Sequence, residues 1–76
     1  MVWITYMMID DSDTYNLVIE VCKKISEKDS SFRYSAYEDI MVVMLFSDSK
    51  DVAYKRGTWF YHKVSKKLKF KVMEVS

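Results

Sequence analysis

The hydrophobic pattern is dominated by Ile40-Met41-Val42-Val43-Met44-Leu45-Phe46, seven consecutive apolar residues between Asp39 and Ser47. A bounded run of that length is too short for a globular helix and reads as a central strand. Residues 2–9 behave similarly. Val2, Ile4, Tyr6 and Met8 alternate with Trp3, Thr5, Met7 and Ile9, and both sets are largely apolar. This predicts a second strand covered on one face or both. Asp10-Asp11-Ser12-Asp13 ends that strand and offers N-cap residues for a helix over approximately residues 13–27. Tyr15, Val18, Ile19, Cys22 and Ile25 recur at three- and four-residue spacings on one helix face, with Glu20, Lys23, Lys24 and Glu27 on the other.

Beyond a loop at Lys28-Asp29-Ser30-Ser31, Phe32, Tyr34 and Ala36 alternate with Arg33, Ser35 and Tyr37, the pattern of a half-exposed strand. Glu38-Asp39 is a tight reversal into the 40–46 strand, so the two form a hairpin. Residues 47–66 admit two readings. Ser47-Asp48-Ser49 supplies caps, Asp51 stands in a first turn, and Ala53, Gly57, Phe60 and Val64 recur at helical spacing, which predicts a second amphipathic helix. Gly57 costs about 1 kcal/mol inside a helix, and Thr58-Trp59-Phe60-Tyr61 has the composition of a strand. The rival is therefore a meander turning at Arg56-Gly57. Leu68, Phe70 and Val72 then alternate with Lys67, Lys69 and Lys71 in a final strand over 67–75. Lysines repeated on one face are a common device for blunting a sheet edge.

The order is β-α-β-β-α-β in one domain spanning residues 1–76: an α+β, ferredoxin-like split β-α-β arrangement. It implies a four-stranded antiparallel sheet with two helices on one face. Its first and third strands lie centrally, and these are the most apolar here. The meander would instead give one helix on a five-stranded antiparallel sheet.

Composition narrows the chemistry. Half of the residues are apolar, as in globular proteins. Twelve basic against eleven acidic side chains leave no global field to recruit polyanions, so electrostatic recognition must come from local segregation. The single cysteine, Cys22, fits a reducing, cytoplasmic setting. The apolar N-terminus lacks signal-peptide features and is far shorter than a membrane span. Cys22 and His62 stand far apart, which excludes a structural zinc site. Asp10, Asp11 and Asp13 could attract a hard cation, but helix capping and the helix dipole account for all three. One glycine cannot build a phosphate-binding loop. The acidic loop after the first strand would also repel phosphate. No metal, cofactor or catalytic residue is expected, and the chain reads as non-enzymatic.

Two local likenesses accompany this reading. Met8-Ile9-Asp10-Asp11 and Tyr34-Ser35-Ala36-Tyr37-Glu38 resemble two places in a family of small ferredoxin-like CRISPR-associated proteins. The likeness ends where this chain enters an apolar strand and that family has a helix. Phe46-Ser47-Asp48-Ser49-Lys50-Asp51-Val52-Ala53-Tyr54 resembles the strand-to-helix passage of some small accessory proteins of tailed phages. That resemblance implies a phage-encoded modulator, a host-takeover or anti-defence inhibitor, that acts by binding a host protein.

With both helices on one side, the other face of the sheet should be polar unless something covers it. A central strand apolar at every position breaks that rule. The expected interface residues are Trp3, Met7, Met41, Val43, Leu45 and Met73, engaging a protein partner or a second copy in a homodimer. The alternative is single-stranded nucleic acid on the same face, held by Trp3, Arg33, Tyr37, Lys69 and Lys71.

Overall fold

The protein is described by a computed structural model, and residues 1–75 are those described here. The elements follow in the order β1 (Val2–Met8), α1 (Ser12–Lys28), β2 (Arg33–Tyr37), β3 (Val42–Ser47), α2 (Lys50–Lys63) and β4 (Lys69–Val75). The strands form one antiparallel sheet in the order β2-β3-β1-β4. Two helices on this sheet make the α+β ferredoxin-like fold. The contested segment is helical, and the five-stranded meander does not form.

Each helix starts where a side chain can satisfy its free N–H groups. At α1 the N-cap is Asp11. Its Oδ1 accepts from the Thr14 backbone N–H at 2.8 Å and its Oδ2 from the Thr14 hydroxyl at 2.9 Å. These bonds stabilise the anion and hold the Asp11 carboxyl below its ordinary pKa. The helix closes at Asp29, whose N–H donates to the Ile25 carbonyl at 2.9 Å, while its carboxylate accepts from Ser31. At α2 the Ser49 hydroxyl accepts from the Val52 N–H at 3.4 Å. The helix ends where the N–H groups of Val64 and Ser65 both donate to the Phe60 carbonyl.

Gly57 shows why α2 tolerates its glycine. A Cβ there would stand 2.4 Å from Cδ2 of Phe70, well inside van der Waals contact. The glycine lets α2 sit down on the β4 ring, and the propensity cost is the consequence of that close approach. Beside it, the fully buried Thr5 donates its hydroxyl to the Ala53 carbonyl at 2.8 Å. Ala53 and Gly57 thus form a low strip on which β1 and β4 press.

The core between sheet and helices contains Met7, Val43 and Leu45 from the central strands, Tyr15, Val18 and Cys22 from α1, and Phe60 and Leu68. Burial pushes the Cys22 thiol up to about 12.

The apolar run at 40–46 is not strand throughout. Glu38–Ile40 make a single 3-10 turn, Ile40 is 64% exposed, and Met41 takes the left-handed conformation with φ 50°. The strand begins at Val42. Left-handed backbone at Met41 is uncommon for a long side chain. Here its carbonyl accepts from the Ile9 N–H at 3.1 Å, and its side chain packs on the core.

Candidate interaction surface

The two faces of the sheet can be assigned residue by residue, because side chains alternate along a strand. Thr5, bonded to α2, puts Trp3, Thr5 and Met7 on the helix side of β1. The pairings Thr5 with Leu45 and Met7 with Val43 carry that side onto β3. The open face is consequently the complementary set. It comprises Val2, Ile4, Tyr6 and Met8 of β1 and Val42, Met44 and Phe46 of β3, flanked by the two edge strands.

This assignment corrects most of the expected interface. Met7, Val43 and Leu45 are fully buried against the helices, and Met41 packs on the same core from the turn. Trp3 is half-buried on the helix side, with the Lys50 ammonium 5.7 Å from its ring centroid. It therefore leaves both the protein-interface set and the nucleic-acid set. Of the six expected interface residues, Met73 alone lies on the open face, paired with Ile4. The physical reason is parity. A strand apolar at every position has no phase in its pattern, and a shift of one residue exchanges its two faces.

The edge strands do carry a phase, and there the expectation agrees with the structure. Phe70 packs towards α2, so Lys69 and Lys71 emerge on the open face. The Lys71 ammonium lies 5.2 Å from the Tyr6 ring centroid, which confirms that the two share that face. On the opposite edge Arg33 pairs with Phe46 and Tyr37 with Val42, so both also face outward.

The resulting surface has an apolar centre with three cations at its margins. Ile4 and Val42 are almost fully buried by their own neighbours, and Tyr6, Met8, Met44, Phe46 and Met73 are half-exposed. Arg33 stands on one edge, and Lys69 and Lys71 on the other. None of the described strand residues on this face is acidic. Sequence reading overlooked Tyr6 and Phe46, an aromatic on each central strand. The signal was present in the regular alternation of β4: Phe70 fixes Lys71 outward, and the antiparallel pairing then carries Tyr6 with it.

At the ends of the sheet, Asp11 is occupied as a helix cap, and among the described residues no group of three His, Cys, Asp or Glu side chains is placed to hold a metal ion. Among the same residues no helix is long and apolar enough to cross a membrane. No protein-family model, curated protein or solved structure matches the chain.

Proposed function

We propose that the protein is a non-enzymatic protein-interaction module, acting in the cytoplasm through the open face of its sheet. The observation that carries this is the uncovered apolar centre around Met44, Phe46, Tyr6 and Met73, with Arg33, Lys69 and Lys71 as the charged residues of its edge strands. Methionine, aromatic residues and arginine are the types enriched in protein interfaces. The partner that fits has an apolar patch with acidic residues around it. A host protein bound by a phage-encoded modulator is one such partner, on the resemblance of residues 46–54.

A second copy fits this face less well. Four strands at about 4.8 Å spacing and six or seven residues at about 3.3 Å give a face of roughly 400 Å². Stable interfaces bury about 800 Å² per partner, so any protein partner must reach past this face onto the sheet edges, which a flat second copy of the same face does not do. Face-to-face packing would also bring Arg33, Lys69 and Lys71 close to cations of the other copy, with no acid on the face to offset them. Affinity capture with the intact protein, compared with a Met44→Lys, Phe46→Ala variant, tests the proposal. A partner retained by the native face and lost by the variant supports it. Equal recovery of every partner by both proteins overturns it.

One observation favours a second reading. Tyr6 and Phe46 on the two central strands, between basic edges, are laid out as in sheets that stack unpaired bases. On this reading short single-stranded oligonucleotides bind the sheet, and Lys69→Ala, Lys71→Ala weakens them in a salt-dependent way. Absence of binding at low salt removes it.

A further inference from the structure

The near-neutral charge conceals a division along the chain. From Val52 onward seven basic side chains, Lys55 to Lys71, stand against one acid, Glu74; residues 1–51 carry ten acids and five bases. The fold separates these halves only in part, since Lys67 lies near Asp11 and Arg56 near Asp29. α2 lies over β1 and β4, while α1 lies towards β2 at the other edge of the sheet. The remaining basic excess, Lys55, Lys63, Lys66, Lys69 and Lys71 against Glu74, belongs to the later turns of α2, the following loop and β4.

On the outer surface of α2, away from the sheet, Tyr54, Lys55, Thr58, Trp59, His62 and Lys63 line a shallow cleft. They form two neighbouring rows at four-residue spacing, Tyr54–Thr58–His62 and Lys55–Trp59–Lys63. The second row alternates cation, indole, cation at steps of about 6 Å along the helix axis. Tyr54 is 48% exposed and Trp59 44%, large apolar areas to leave in water. The cleft has no aliphatic side chain, unlike a helix seam built to receive another helix. Asp51, in the first turn of α2, heads the second row one turn before Lys55.

We infer that this outer face of α2 is a binding site for single-stranded nucleic acid, with Lys55 and Lys63 on the phosphates and Trp59 and Tyr54 stacking bases. Charge complementarity selects the ligand: a helix face with exposed rings set between its cations matches a phosphate chain bearing flat bases. The site is independent of whatever occupies the sheet, which is the opposite layer of the molecule.

The test is fluorescence anisotropy of labelled oligothymidylate and oligouridylate with the full chain over a salt series. Binding is expected at low salt and falls as salt rises. Lys55→Ala and Lys63→Ala each flatten the log–log salt dependence by about one phosphate contact. Trp59→Ala weakens binding about tenfold and Trp59→Phe restores most of it, because a ring suffices for stacking. Replacing Lys23 and Lys24 on α1 with Ala leaves binding unchanged; circular dichroism checks that every variant is folded. No binding at low salt overturns the inference. So does binding that depends on Tyr6 and Phe46 instead of Trp59, which puts the strand on the sheet. Equal affinity for polyglutamate, indifferent to Trp59, also overturns it, since the site would then serve an acidic protein segment. Loss of the sheet's protein partner in the Met44→Lys, Phe46→Ala variant has no bearing on these outcomes.

Discussion

The ring of Phe70 occupies the space that a side chain on Gly57 would need: a Cβ at Gly57 would lie 2.4 Å from two of its ring carbons. Gly57→Ala gains about 1 kcal/mol of helix propensity. It also forces the ring or the helix to move, and overpacking of this kind costs about 1–3 kcal/mol. The expected outcome in urea unfolding is a net loss of up to about 2 kcal/mol. Adding Phe70→Leu to Gly57→Ala should recover part of it, whereas a pure propensity effect would make Gly57→Ala stabilising.

The face assignment makes neighbours on β3 behave differently. Leu45→Ala removes a fully buried side chain from the core and should cost about 2–5 kcal/mol. Met44→Ala acts on the half-exposed open face and should cost about 1 kcal/mol or less. Denaturation of the two variants checks the register: a larger loss for Met44→Ala would place the faces the other way round.

Thr5→Val keeps the shape of the side chain and removes its hydrogen bond to the Ala53 carbonyl. The expected loss is about 1 kcal/mol. Hydrogen exchange near Ala53 should quicken if that bond is what clamps α2 to β1.

Acid titration isolates the α1 cap. Asp11 has a folded pKa below its unfolded value, so its contribution is complete above the unfolded pKa, near pH 4. It is lost as pH falls through the folded value. Asp11→Asn should leave a shallower decline of stability below about pH 4 than the native chain shows. An unchanged acid limb, followed by circular dichroism, would mean the carboxylate charge contributes nothing.

Cys22 should resist modification while the protein is folded. It is fully buried and its thiol is pushed up to about 12, so almost no thiolate is present near neutral pH. Iodoacetamide labelling followed by mass spectrometry should be slow in buffer and complete in denaturant. Rapid labelling in buffer would show that α1 opens readily.

Sequence pattern carried the architecture well because most elements mark their own ends. Asp11, Ser49 and the lysines of β4 are local signals, and each lies where its chemistry is used. The facing of the central strands was not legible. Both are apolar on both sides, so neither has an alternation from which to read a face. Their phase is set from outside, by the Thr5 bond to α2 and by the left-handed turn at Met41. That turn also shortens the strand that the composition suggests. Gly57 was legible as an anomaly, though its reason is a ring thirteen residues later that only the packed structure brings alongside. The α2 surface escaped notice for a related cause. Thr58-Trp59-Phe60-Tyr61 looks like strand until the helix separates Phe60, which turns inward, from Trp59, which stays in solvent.

The basic excess on the later turns of α2 and on β4 gives this nearly neutral molecule an uneven distribution of charge. Near an anionic surface such a body feels little net pull but is turned by the field. It rotates first, bringing α2 and β4 forward with α1 trailing, and only then closes the distance. Added salt should therefore slow productive encounters by randomising approach, even where the final contact is made by uncharged rings.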